Sequence, residues 1–245
     1  MRERGIRVAF AHLDLGIGGA EQLVVNAALA LQECGHNVTL FTTHHSPDHC
    51  FAPTRGNGKL ARTVVVVGDW LPRSVGGRAV ALCSSLRMVY LAIYMVLRWH
   101  VEDVVFCDGV STPLPVLWSR FSVLFYCHFP DKLLCTARES WLKRLYRRPL
   151  DWLEEFTTGW ADAIVVNSEF TRGVFQESFP VLGRLVEPAV LYPAADLDSF
   201  TPPNWMAKSA AKLGLLNVSR PRRRAMIVLA HPAVVAAAAQ APLSL

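Results

Sequence analysis

The chain has 245 residues, long enough for one large domain, or a domain with an appendage, and ample to bury a core. At 52% hydrophobic and 18% charged residues, against typical values of about 45–50% and about 25%, it is greasier than an ordinary soluble domain. Its net charge of +5 suits an anionic membrane surface or an anionic ligand, and its basic residues lack the aromatic interleaving of a single-strand binder, so no nucleic-acid partner is expected.

Met1 to Gly5 runs directly into a first strand, Ile6 to Ala11, without the apolar stretch of a signal peptide, so the folded part is expected to face the cytosol. Leu15-Gly16-Ile17-Gly18-Gly19-Ala20-Glu21 follows and opens a helix-patterned segment, Ala20 to Leu31. A glycine-rich turn from strand to helix suits phosphate: backbone and ligand approach closely, and the first N–H groups of the helix point outward with the positive end of its dipole. Glu21 in the first turn complements that dipole. A plain tight turn explains the same residues. The dinucleotide fingerprint fails, because Glu21 stands where a third glycine belongs and no acidic residue occupies Phe41-Thr42-Thr43-His44, about twenty positions on. Walker-type Gly-Lys-Ser/Thr is absent too, so the loop suits a phosphate or a sugar nucleotide better than NAD or ATP.

Gly35 caps the first helix, and Val38–Thr42, Thr63–Val67, Asp103–Cys107, Val123–Cys127 and Ala163–Val166 continue as apolar strands, with Val190-Leu191-Tyr192 as a seventh. Helical segments fall between most of them, including Trp141–Tyr146, Leu150–Thr158 and Phe170–Phe179. Continuously apolar strands separated by helices predict an α/β fold, a doubly wound parallel sheet covered on both faces. Ala79 to Leu97 approaches the length of a membrane span, but Arg87 near its centre costs about 2.5–3.5 kcal/mol on insertion scales. It reads as a long crossover helix whose outer face, with Tyr90, Tyr94 and Arg98, rests on a membrane interface; an ordinary buried crossover helix fits the same residues. Beyond Asp196 the alternation stops. A short helix candidate, Ala207–Leu216, a basic cluster, Arg220–Arg224, and an Ala/Val tract broken by Pro232 and Pro242 read as a poorly ordered tail.

The sharpest polar group is Cys127-His128-Phe129-Pro130-Asp131, directly after the fifth strand. Ligands of open parallel sheets bind beyond the carboxyl ends of the strands, so His128 and the Gly18-Gly19 amides are expected to face one cleft. A histidine there bonds a sugar hydroxyl, orients a phosphate or moves a proton, unless it merely ends the strand, satisfied by backbone. His44, His45, His49 and Cys50 match no zinc spacing and read as a loop at the cleft rim, so no metal is assigned. The six cysteines are scattered without a Cys-x-x-Cys pair, which points to a reduced compartment. Glu154-Glu155 and the run Lys143–Arg148 read as solvated helix faces; beside a membrane, Lys143 and Arg144 are candidates for holding a lipid diphosphate, with Asp131 a candidate for the acceptor.

Together, Gly16-Ile17-Gly18-Gly19-Ala20-Glu21, Phe125-Tyr126-Cys127-His128-Phe129-Pro130-Asp131, Leu145-Tyr146-Arg147, Asp151-Trp152-Leu153-Glu154-Glu155, Val166-Asn167-Ser168-Glu169-Phe170-Thr171 and Val190-Leu191-Tyr192-Pro193 resemble the GT-B glycosyltransferases of the retaining family 4 type. Within these the chain is most similar to the eukaryotic dolichol-pathway mannosyltransferases that form α-1,3 and α-1,6 linkages. The resemblance covers about residues 6 to 200 and implies a Rossmann-like N-terminal domain that binds the acceptor, mannosyl-chitobiose on dolichyl diphosphate, at the cytosolic face of the endoplasmic reticulum membrane. It implies GDP-mannose as donor substrate and no cofactor, and other glycosyltransferases of the pathway as partners. Gly18 and Gly19 match the loop that approaches the donor phosphates, and His128 matches the histidine that contacts the transferred sugar.

The family's second Rossmann-like domain, with its Glu-x7-Glu motif, is expected to be missing, since no Glu follows Glu187. Two regions are therefore expected, residues 1–200 as the acceptor-binding domain and 201–245 as a divergent tail, with little activity from the chain alone. A non-catalytic membrane-associated module that binds lipid-linked oligosaccharide or a partner glycosyltransferase is the alternative.

Overall fold

The apolar runs build a single parallel sheet of seven strands: β1 (Arg7–Asp14), β2 (Asn37–His44), β3 (Val64–Val66), β4 (Val104–Asp108), β5 (Ser122–Cys127), β6 (Ala163–Val166) and β7 (Ala189–Val190), in the order β3-β2-β1-β4-β5-β6-β7. A computed structural model describes residues 5–99, 102–134 and 141–193 of the chain. The predicted tail over 201–245, with its helix candidate Ala207–Leu216, lies outside the described residues. The helices are α1 (Gly19–Glu33), α2 (Val80–Arg98), α3 (Leu114–Trp118), α4 (Asp131–Leu134), α5 (Trp141–Thr158), α6 (Glu169–Ser178) and α7 (Leu182–Leu185). This is a doubly wound, Rossmann-like α/β fold, as the alternation predicts. Chain direction through the sheet reverses between β1 and β4, so their carboxyl ends frame the crevice where such sheets bind ligands.

Successive strand residues point to opposite faces, and each face has its own apolar layer. On one, Phe10, Leu40, Phe106, Leu124, Tyr126 and Val165 pack with Leu23, Val24, Ala28 and Leu31 of α1. On the other, Ala11, Val105, Cys107, Val123 and Phe125 meet Met88, Leu91 and Met95 of α2, Leu114 and Leu117 of α3, and Phe175 of α6. Gly35 ends α1 with φ of 87°, a left-handed position that glycine takes without a Cβ clash.

Two helices depart from expectation. Trp141–Tyr146 and Leu150–Thr158 are one helix, α5, that runs through Pro149. The proline removes one backbone bond, but Arg147 reaches over it to Asp151 at 3.2 Å and ties the turns on either side together. In α2, Arg87 is 2% exposed and pairs with Asp14 at 2.9 Å, so the charge expected to oppose membrane contact faces the sheet. The outward face carries Leu82, Leu86, Tyr90, Ile93 and Leu97, all exposed, with Arg98 at its end. Tyr94, expected on that face, packs on the core instead, because it neighbours Leu91 and Met95 on the buried stripe.

Candidate active site

Three strand ends share one pattern, an aromatic residue followed two positions later by a titratable one: Phe10 and His12 on β1, Phe106 and Asp108 on β4, Tyr126 and His128 at the end of β5. Period-two geometry sends all six to the α1 side of the sheet. The rings form a floor, with centroids 4.9 Å apart for Phe10 and Phe106 and 5.8 Å for Phe106 and Tyr126. Above that floor stand the polar groups. Asp108 Oδ2 lies 2.8 Å from His12 Nδ1, and Asp108 Oδ1 lies 2.7 Å from His128 Nε2.

His12 connects this row to the glycine loop. Its Nε2 lies 3.8 Å from Glu21 Oε1, and Glu21 folds back over Gly18, the residue that precedes the first turn of α1. A Cβ on Gly18 would stand 2.3 Å from Glu21 Oε2, so the loop needs glycine here to admit the carboxylate. At Gly19 the space is open, with nothing within 4 Å of a Cβ. The sequence reading of Glu21 as a dipole partner captured its position in the helix but not its link to His12. His12 itself was missed, as was Asp108, since neither belongs to a recognisable spacing along the chain. The shared aromatic-x-polar ending of three strands was the available signal.

The electrostatics follow from burial and pairing. Burial opposes a charge on His12, but Asp108 and then Glu21 outweigh it and lift the imidazole to about 9. Burial likewise pushes Asp108 up, and its bonds to His12 and His128 override that and hold it below the usual carboxylate range. His12 keeps Glu21 low against a smaller effect of burial. Burial pushes the Cys107 and Cys127 thiols up, so they stay neutral and add no charge to the row.

His128 is held from several sides. Its ring stands edge-on to Tyr126 with centroids 4.8 Å apart, and its carbonyl accepts a bond of 3.0 Å from Asn167 Nδ2. The Tyr126 hydroxyl donates to the Leu191 carbonyl at 2.9 Å, which fixes the chain where it leaves β7. Asp131, three residues beyond His128, pairs with Arg147 at 3.2 Å. Arg147 is therefore not part of a solvated face: it is buried and holds both Asp131 and Asp151. Lys143 and Arg144 lie on α5, and their side chains are outside the described residues.

Glu154 and Glu155 also differ from the solvated reading. Glu154 accepts from the Asp131 and Lys132 amides at 2.6 and 2.9 Å, and burial lifts it to about 7. Glu155 accepts from the amides of Val181 and Leu182 at 2.8 and 3.1 Å. Each satisfies the open N–H groups of a neighbouring short helix, a demand that the pattern of α5 alone does not reveal. In the rim loop, His44 pairs with Asp69 at 2.7 Å, His45 meets Thr54 Oγ1 at 3.3 Å, and Cys50 is buried. Among the described residues no three such side chains converge to hold a metal ion.

Comparison with known proteins bears on this site directly. The chain is 48% identical over 239 residues to the human α-1,3/1,6-mannosyltransferase ALG2, a match that covers 93% of this chain and 56% of the relative. The mouse ALG2 is 53% identical over 199 residues, covering 79% and 46%. The ALG2 of Rhizomucor pusillus is 44% identical over 246 residues, covering 96% and 52%. The chain thus spans about half the length of the curated relatives it matches. The model of Glycosyltransferase Family 4 matches residues 17–198, which begin in the glycine loop and take in Asp108 and His128. The chain belongs to glycosyltransferase family 4.

Proposed function

We propose that this chain is the acceptor-binding half of a retaining mannosyltransferase that carries mannose from GDP-mannose to lipid-linked mannosyl-chitobiose, with α-1,3 and then α-1,6 linkage. One observation carries the reading. A glycine loop and a braced histidine meet at the switch point of the sheet, in a chain nearly half identical to human α-1,3/1,6-mannosyltransferase. Transfer breaks the bond from the anomeric carbon to the diphosphate and forms one to the acceptor hydroxyl, whose proton leaves with the departing phosphate. The Gly18 and Gly19 amides are aimed at the charge that develops on that diphosphate. His128 holds the sugar so that its anomeric carbon meets the acceptor. Lys143 and Arg144 are candidates for the lipid diphosphate; Asp131 is the acceptor candidate, although Arg147 already engages its carboxylate. No cofactor is called for, since the donor carries its own leaving group.

The site belongs, on this reading, at the cytosolic face of the endoplasmic reticulum membrane, with other glycosyltransferases of the same pathway as partners. The uncharged outer face of α2 supports membrane contact: Leu82, Leu86, Tyr90, Ile93 and Leu97 are exposed over five turns while Arg87 is turned inward. A helix with one face in the core and the other apolar lies along an interface rather than through it.

The test is a chimera in which residues 1–193 replace the matching half of the human relative. Mannose transfer from GDP-mannose to the lipid-linked acceptor is expected, and His128→Ala is expected to lower it about 10²-fold or more. A folded chimera that transfers no mannose, or a His128→Ala form as active as its parent, refutes the assignment.

A further inference from the structure

Asp108 is 2% exposed, and each of its oxygens meets one imidazole, His12 at 2.8 Å and His128 at 2.7 Å. A carboxylate accepts only, so each facing nitrogen carries a proton. For His128 this means Nε2–H toward Asp108, and a neutral ring then presents the lone pair of Nδ1. His12 has a carboxylate at both nitrogens, Asp108 on β4 and Glu21 on α1, which calls for the doubly protonated ring. The aromatic floor of Phe10, Phe106 and Tyr126 excludes water from beneath the row, where an unpaired charge is costly.

We propose that Asp108 and His12 are positioning residues: Asp108 holds His128 in the Nε2–H form so that Nδ1 meets a sugar hydroxyl as acceptor, and His12 locks that carboxylate to Glu21 behind the glycine loop. The two sides of the donor site, loop and histidine, are then one rigid unit built from four side chains. Orientation of a group that contacts substrate is worth as much as the group itself, because a ring free to turn presents a donor and an acceptor in alternation. The proposal rests on the reading of His128 as a sugar contact. Its test needs no donor, so the two can fail separately.

The measurement is nitrogen-15 NMR of the imidazoles in the 245-residue chain at pH 8. His128 is expected in the single Nε2–H form, and His12 with both nitrogens protonated. Asp108→Asn is expected to release His128 into a mixture of forms and to lower the half-protonation pH of His12 by about one unit or more. Glu21→Gln, at a half-exposed position that leaves the buried row in place, is expected to lower the His12 value while leaving His128 in its single form. This second variant keeps the test open should Asp108→Asn fail to fold. A wild-type His128 that populates both forms, a neutral His12 at pH 8, or a His12 unmoved by Glu21→Gln overturns the proposal.

Discussion

Gly18 lacks a side chain where Glu21 needs the room, and this gives the glycine pair two different sensitivities. An alanine Cβ at Gly18 would press on Glu21 Oε2 at 2.3 Å, so Gly18→Ala is expected to swing Glu21 away from His12. The loss of a charge-assisted bond costs about 1.5–3 kcal/mol. Gly19 begins α1 with open space around it, so Gly19→Ala is expected to be neutral or stabilising by about 0.4–1 kcal/mol. Urea unfolding of the two variants distinguishes them, and equal midpoints would show that Glu21 is not held as described. Residue types and spacing made the loop legible, because glycines before a helix pattern have few uses. They did not make His12 or Asp108 legible, since a polar residue at a strand end gains meaning only when neighbouring strands are placed beside it.

At the scale of the element, α2 and α5 show what periodicity can and cannot say. The length and apolar character of α2 were plain in the sequence, and the ambiguity lay in Arg87. The arginine reads as a cost to membrane contact until Asp14 is found across from it. Leu86→Glu combined with Ile93→Glu is expected to leave the fold unchanged, as both side chains are exposed, and to abolish binding to vesicles of mixed neutral and anionic phospholipid. Co-sedimentation measures this, and a wild-type chain left in the supernatant would remove α2 from the membrane. For α5, Pro149 was read as a boundary, which is its usual meaning. Arg147 overrides it by pairing with both Asp131 and Asp151, a contact that depends on where the loop after β5 returns.

Across the whole molecule, strands and helices follow the apolar runs closely, and the doubly wound sheet was predictable from their alternation. The order β3-β2-β1-β4-β5-β6-β7 was not, yet it alone brings His12, Asp108 and His128 into one row. That row gives the fold a pH dependence. His12 has its value raised from 6.5 to about 9, so its contribution is full below pH 6.5 and is lost as pH rises through 9. The shift corresponds to an upper bound of about 3 kcal/mol. Glu21 and Asp108, both lowered, act in the opposite sense and lose their contributions only in acid. Melting temperature by calorimetry is therefore expected to fall between pH 6.5 and pH 9.5 in the wild type. In His12→Gln that fall is expected to be much smaller, and the same slope in both proteins would assign the effect elsewhere.

The pairing of Arg87 with Asp14 has a consequence for how a lipid-bound substrate arrives. Asp14 is the last residue of β1, immediately before the glycine loop, so α2 is fastened to the sheet at its ligand-binding edge. Crossover helices run roughly antiparallel to the strands they connect. With α2 laid flat on a bilayer, the strands lie nearly flat as well, and their carboxyl ends point along the surface rather than away from it. The cleft then opens sideways, at the height of the headgroups. An acceptor anchored by its lipid can drift into such a mouth by lateral diffusion, with its diphosphate already level with the loop and its sugars never drawn out of the interfacial layer.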